Sequence, residues 1–214
     1  LYAINDDDTL NNGSGNIKEY RYSGLNPDNY VYFNNELWRI ISLSNGNLKI
    51  VKNEEISLDS YVGNETYFNN LDEVYQEYVL NATFNTGSIN LTDTYTSLLT
   101  NESSSTTEGY INYISASDYL YSTEPTYYVN ALNDTNVSSN TWLTGTYLTA
   151  NSIGENNILG INANVPTSAS STDENYNIRP CLYLKKSVSI VEGNGTIEKP
   201  YVLDYADVKE LPVM

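Results

Sequence analysis

Histidine is absent from the 214 residues of this chain. With it go the side chain that titrates nearest neutrality, the commonest metal ligand and the base of the usual serine and cysteine triads. Cysteine is nearly absent too. Cys181 stands alone, so the chain closes no internal disulfide, and its apolar neighbours predict a buried thiol. Positive charge is scarce: 10 Lys and Arg face 27 Asp and Glu, a net of −17. Such a surface repels phosphate backbones and anionic lipid, which excludes nucleic acid as a partner. No run approaches the ~20 apolar residues of a membrane span, so this stretch is not expected to insert into a bilayer. No secretory leader is recognisable. Leu1 in first place gives the expectation of a processed or excised piece whose export signal and anchor lie elsewhere.

What fills the chain instead is Asn, Ser, Thr and Tyr, with Tyr alone at 21 residues. That composition points to an extracellular setting. Asn-x-Ser/Thr sequons at Asn12, Asn64, Asn81, Asn90, Asn101, Asn133, Asn136 and Asn194 permit glycosylation there. The acidity leaves calcium as the one cofactor to consider. Asp8, Asn12, Gly13 and Glu19 fall at the spacing of a helix-loop-helix calcium loop, but Leu10 occupies the third ligand position and no helical pattern flanks the segment. A carboxylate pair can hydrolyse glycosides. Nothing singles out two carboxylates among 27, and a non-enzyme is expected.

Along the chain, residues 1–26 read as an irregular lead-in, with Asp6-Asp7-Asp8 and Asn11-Asn12-Gly13 offering charge and turns. Tyr30–Phe33, 36–43 and 48–51 then read as three strands of an antiparallel meander, turned at Asn34-Asn35 and Asn45-Gly46. Leu71, Val74, Tyr75, Tyr78 and Val79 recur at helical spacing behind an Asn70 cap. A shorter helix from Thr92 carries Tyr95, Leu98 and Leu99. Residues 103–107 read as an exposed loop and 111–114 as a short strand. Ser115-Ala116-Ser117-Asp118 has the form of a capping box opening a helical turn around Tyr119–Tyr121. Residues 123–177 read as long irregular connections. Strands return at 178–184, 188–191 and 201–203, with a turn at Gly193-Asn194-Gly195 and a tail after Asp204. Strands, then helices, then strands predict an α+β fold on an antiparallel sheet.

Five segments in order carry a resemblance: YVYFNNELWRIISLSNGNLKIV (30–51), ISASDYLYS (114–122), Thr141-Trp142-Leu143, NIRPCLYL (177–184) and GNGTIEKPYVL (193–203). Together they resemble an uncharacterised family of extracellular domains from Firmicutes and Mollicutes-like bacteria, often found behind prepilin-type N-terminal helices. The Arg-Pro-x-x-x-Leu ending is similar to the end of C-type-lectin-like domains. The resemblance spans residues 27–203. It implies a C-type-lectin-like α+β domain whose first and last strands pair, with flanking helices and long loops forming a ligand-facing surface. The chain departs from relatives of that fold class. It lacks the reactive cysteine pair of the oxidising enzymes, and Glu124-Pro125-Thr126 and Leu132-Asn133-Asp134 are faint echoes of the calcium-lectin motifs. Leu211-Pro212-Val213-Met214 resembles the start of a sorting signal but has Met where Thr is required.

Trp38, inside an apolar strand, is expected in the core; Trp142, at a loop edge, is either a sugar-stacking platform or core. Arg39 and Arg179 are unusual in so acidic a chain. Arg179 beside Pro180 is expected to make a structural ion pair or to bond loop carbonyls. Tyr combines a large contact area with a polar tip, which suits interfaces as well as strands. Tyr119, Tyr121, Tyr127, Tyr128 and Trp142 are the expected contact surface. The expected function is a structural or display module, the soluble head of a pilin-like or other surface protein that packs against copies of itself or other surface proteins. The alternative is an adhesin-like module that holds a glycan or protein in the 123–177 loops.

Overall fold

The computed structural model describes residues 2–6, 13, 15–122, 141–143, 145–154, 157–162, 165–170 and 175–205. Within that set the segment before residue 27 is not the irregular lead-in expected of it. Tyr2–Asn5 (β1) pairs antiparallel with Ile17–Arg21 (β2), and β2 pairs in turn with the middle of the sheet. Ile4 is fully buried, so this short strand contributes to the core despite its acidic surroundings.

The meander forms as expected: Tyr30–Phe33 (β3), Glu36–Ser44 (β4) and Asn47–Lys52 (β5). Its two turns place Asn34, Asn35, Asn45 and Gly46 at φ of 51°, 59°, 50° and 82°. Two positive φ values in succession match the right-handed twist of the flanking strands, and Asn and Gly adopt them at least cost. The nine residues of β4 serve three neighbours. β5 runs along one edge, while β3 lies opposite Glu36–Arg39 and β2 opposite Ser42–Ser44. A bulge between Ile40 and Ser42 sets Ile40 into one core cluster and Ile41 into another.

After Ile56–Ser57 (β6) the chain enters short helices, Asn64–Asn69 (α1) and Glu73–Gln76 (α2). The helix expected over 71–79 is therefore a single turn that begins after Asp72, whose side chain makes no capping hydrogen bond, with α1 preceding it. Leu71, Tyr78 and Val79 are buried as the apolar stripe predicts, but Val74 is 41% exposed. The helix stops early because Tyr78–Leu80 hydrogen-bonds beside the last-third strand instead, with Val79 bridging Leu184. Tertiary pairing outweighs local periodicity here.

Ala82–Asn85 (β7) pairs with Thr106–Gly109 (β8), so the loop expected over 103–107 is partly strand, though exposed. Tyr95–Glu102 (α3) buries Leu98 and Leu99 as expected. Asn112–Tyr113 (β9) and Ala116–Leu120 (α4) follow. Tyr147–Gly154 (β10), Asn157–Asn162 (β11) and Val165–Ser170 (β12) replace the irregular connection expected over those residues with an antiparallel ladder. Asn177–Ile178 (β13), Pro180–Leu184 (β14), Val188–Glu192 (β15) and Val202–Tyr205 (β16) match the expected closing strands.

The described strands form a central sheet in the order β1-β2-β4-β5-β14-β9, with β3 beside β4, and a second sheet in the order β12-β11-β10-β13-β6. β15 and β16 make a hairpin of their own. The architecture is α+β, with antiparallel sheets and short helices. Each face of the central sheet carries part of the core. One face joins Val51 and Cys181 to α3, α4 and the second sheet through Leu98, Leu120, Tyr147 and Leu159. The other joins Trp38, Ile50 and Leu182 to Leu71, Val79 and Leu203. No described helix is long and apolar enough to cross a membrane.

Candidate functional site

Strand register draws a polar row across the covered face of the central sheet. Arg21 lies opposite Ser42, Ser42 opposite Lys49, and Lys49 opposite Tyr183. Directly opposed residues share a face, so these four project together, with Glu19 and Ser44 forming the adjacent row. Lys49 and Arg21 are each 6% exposed. Buried cations need anionic partners, and the partner comes from above the sheet.

That partner is Asp118 in α4. Four successive backbone N–H groups at the start of this helix all find side-chain acceptors. Ser115 N–H donates to Asp118 Oδ2 (2.9 Å), Ala116 N–H to Asn151 Oδ1, Ser117 N–H to Glu102 Oε1 (2.7 Å) and Asp118 N–H to Ser115 Oγ (3.2 Å). The capping box read from the sequence is thus real, and α3 and β10 supply the remaining acceptors. The same Asp118 carboxylate accepts from Lys49 Nζ at 2.5 Å and lies 3.3 Å from Arg21 Nη1, while Glu19 pairs with Arg21 Nη2 at 3.2 Å. One side chain caps a helix and neutralises two sheet cations.

The electrostatics follow from burial against pairing. Burial alone raises a carboxyl's pKa, but Lys49 and Arg21 outweigh it and hold Asp118 below its usual value. Burial lowers the Lys49 ammonium, yet Asp118 drives it well above its ordinary range. Glu102, also fully buried, lacks a cation in direct contact. Burial pushes it up to about 7 against the hydrogen bonds from Ser117. Burial likewise lifts the Cys181 thiol to about 12.

A cavity of ≈ 250 Å³ opens over this row, lined by Lys18, Glu19, Arg21, Lys49, Ser115 and Ser117, with exposed Asn45, Thr83 and Asn85 at its rim. Its two serine hydroxyls at the start of α4 are already engaged: Ser117 Oγ accepts from Arg21 Nη1 (3.3 Å) and lies 3.0 Å from Ser115 Oγ. A protonated lysine is no base for a serine hydroxyl. The arrangement is suited to holding a polar group rather than to activating a nucleophile.

The residues expected to form a contact surface lie elsewhere. Tyr119 and Tyr121 are fully buried and Trp142 is 7% exposed, all three in the core cluster beneath α4. They do not form a surface, because the apolar turn behind the capping box faces inward. Tyr127 and Tyr128 lie outside the described residues, as do Glu124-Pro125-Thr126, Leu132-Asn133-Asp134, Asp8, Asn12 and Leu211–Met214. Trp38 is fully buried in edge contact with Phe33 (5.6 Å), as expected. Trp142 stacks on Arg39, whose guanidinium sits 4.6 Å from the indole and 4.0 Å from the Tyr30 ring. Arg39 also donates to Asn29 Oδ1, Asn26 Oδ1 and the Pro27 carbonyl, which ties the entry to β3 onto β4. Arg179 approaches Glu55 Oε1 at 3.9 Å and the Tyr147 ring at 5.5 Å. Pro180 opens β14, where a missing N–H is tolerated, and Cys181 is buried as predicted.

Glu19, the last position of the calcium-loop spacing set aside above, pairs its carboxylate with Arg21. Among the described residues no three carboxylate or thiol side chains gather as a metal site. The residues that sequence reasoning missed are Arg21, Lys49 and Glu102. For Arg21 and Lys49 the one legible signal was the scarcity of cations in a chain with only 10, and Glu102 left none. No protein-family model, curated protein or solved structure matches the chain. The class that the fold defines is an α+β protein of antiparallel sheets with short helices.

Proposed function

We propose that this chain is a non-catalytic extracellular display module, the head of a pilin-like or other bacterial surface protein that packs against copies of itself. The observation that carries the reading is an apolar stripe on the outer face of the sheet. Tyr20 and Leu43 are opposite each other in register, and Leu43 is opposite Leu48. With Ile40, Tyr22 and Ile190 they line a groove of ≈ 220 Å³. Tyr20, Leu43 and Ile190 are 44%, 40% and 45% exposed. A continuous apolar patch of this kind marks a surface that is covered in use. β1 stands at the end of the same sheet and offers backbone hydrogen bonds to a neighbouring chain.

A C-type-lectin-like ancestry for the fold is part of this proposal. It is supported by the contact between β3 and the start of β16, where Val31 bridges Tyr201 in parallel and the backbones exchange hydrogen bonds of 2.8–3.0 Å. The non-catalytic reading is supported by the locked state of Lys49, Ser117 and Cys181. The extracellular setting rests on composition. The alternative, ligand capture by the 123–177 loops, loses Tyr119, Tyr121 and Trp142 as contact residues.

Sedimentation velocity over a range of protein concentration tests the proposal. Self-association that strengthens with added salt is expected, since salt screens repulsion between copies of net charge −17. A monomer at every concentration and salt level removes the packing role.

A further inference from the structure

We propose that the groove between α1 and the end of β8 takes an arginine side chain from a basic segment of a different protein. Glu65, Phe68 and Asn69 stand at i, i+3 and i+4 in α1 and so share one face of that helix. Opposite them, just past the end of β8, Tyr110 is exposed and Ile111 is buried. The Phe68 and Tyr110 rings stack nearly parallel, 4.1 Å between centroids and 7° between planes. Phe68 is itself packed against the core cluster of Trp38 and Ile50, so Tyr110 rests on an anchored ring. That fixes the exposed ring before a partner arrives, which lowers the ordering cost of binding. The groove has a volume of ≈ 350 Å³, within the usual range of ligand pockets, with exposed Glu65 and Glu108 at its rim.

The chemistry of the groove selects its occupant. Among the described residues, the Glu65 and Glu108 carboxylates join no ion pair or hydrogen bond, and no cation lines the groove. Two unpaired carboxylates beside an exposed tyrosine ring suit a planar cation that lies on the ring and turns its N–H donors to the carboxylates. A guanidinium does this in one plane, whereas a lysine ammonium is more strongly hydrated and has no flat face. Free arginine fits poorly, because its α-carboxylate would meet Glu65 and Glu108 with no cation in the groove to balance it. An arginine within a chain carries no such charge, and the Asn69 amide in the same groove can bond its backbone. The occupant is not a second copy of this protein. Arg21 and Arg39 are buried, the Arg179 side chain is 11% exposed, and these are the chain's only arginines. At longer range the net charge of −17 draws a basic partner in. The inference is independent of the display role, which depends on the apolar stripe.

Amide chemical shifts of the whole chain, titrated with the blocked peptide acetyl-Gly-Arg-Gly-amide, test it. The comparison ligands are the citrulline peptide (the same shape without the charge), the lysine peptide, free L-arginine and maltotriose. The arginine peptide is expected to shift Glu65, Phe68, Gly109 and Tyr110 saturably, and to bind less tightly as salt is added. The citrulline peptide is expected to bind about tenfold more weakly, the size of one charge-assisted hydrogen bond. The lysine peptide and free L-arginine are expected to bind several-fold more weakly. Glu65→Gln and Glu108→Gln, at exposed positions, are each expected to weaken binding several-fold at an unchanged melting temperature, and Tyr110→Ala to abolish it. Equal binding of the citrulline peptide, binding untouched by replacing both glutamates, or no saturable shift by roughly 10 mM arginine peptide overturns the proposal. A lysine peptide that binds as tightly overturns the guanidinium assignment, and free L-arginine that binds as tightly overturns the protein source. Saturable binding of maltotriose in the groove makes it a glycan site and overturns the proposal as well.

Discussion

Glu102 ends α3 with its carboxyl fully buried, one oxygen accepting from Ser117 N–H and the other without a hydrogen bond. Asp118 pushes its pKa up and Arg21 pulls it down, but burial dominates and sets it at about 7 against an ordinary 4.5. The native state therefore binds more protons than the unfolded chain between those values. The stabilising contribution is full below about 4.5 and is lost as pH rises through about 7. Glu102→Gln keeps the acceptor for Ser117 and removes the ionisation. It should raise the melting temperature at pH 8, leave it unchanged near pH 4, and recover up to about 3 kcal/mol; thermal melts across pH read this directly, and equal effects at both pH values would overturn the assignment. Asp118 has the opposite sign. Its pKa is depressed, so its contribution is present above 3.8 and lost as pH falls through the folded value. Asp118→Asn leaves Lys49 buried without its counter-charge and should cost about 3–5 kcal/mol in denaturant titrations at pH 7. A loss below about 1 kcal/mol would mean that the pair is solvated. The sequence marked Asp118 as a cap residue, because Ser115 is three positions away. Its pairing with Lys49 spans 69 residues and leaves no local trace.

At the scale of elements, the legible parts are those whose signal is local. The two Asn-rich turns dictated positive φ, and the meander followed with its register. The closing turn works similarly: Gly195 has φ +80°, and a Cβ there would meet the Asp28 carbonyl oxygen at 2.3 Å. Its own carbonyl accepts from Tyr30 N–H at 2.8 Å. Gly195→Ala should therefore destabilise by about 1–3 kcal/mol and loosen the attachment of the hairpin to β3, seen as faster amide exchange at Tyr30. Unchanged exchange would show that the hairpin is held by Tyr201 alone. The illegible elements are those held by distant partners. β10 carries Thr149 and Asn151, both fully buried, where a strand read from composition wants apolar residues. Thr149 Oγ1 donates to the Leu159 carbonyl and Asn151 Oδ1 accepts from Ala116, partners that no window of sequence contains, while Asn151 Nδ2 is buried without a hydrogen bond among the described residues. The helix over 71–79 failed for the converse reason, since its apolar stripe serves an extended segment beside β14.

For the whole molecule, acidity sets the terms of association. Any contact between copies works against −17 on each, so an apolar stripe must be large and well matched to prevail. Leu43→Ser removes the centre of that stripe from an exposed strand position. It should abolish salt-promoted association in sedimentation while leaving the melting temperature nearly unchanged, and retained association would place the interface elsewhere. The fold class was legible at this scale, because the order of strands and helices survives errors in individual boundaries. The cavity was not, because it needs Lys18, Lys49, Asn85 and Ser117 from four separate segments.

The two core clusters also divide the chain's two indoles between them. Trp38 belongs to the cluster under β3 and the hairpin, and Trp142 to the cluster beneath α4, beside the Arg39 guanidinium. Each face of the central sheet thus carries its own fluorophore. Replacing either Trp with Phe leaves an emission signal from one face alone, and the two melting curves would tell whether the halves of this protein come apart together or in sequence.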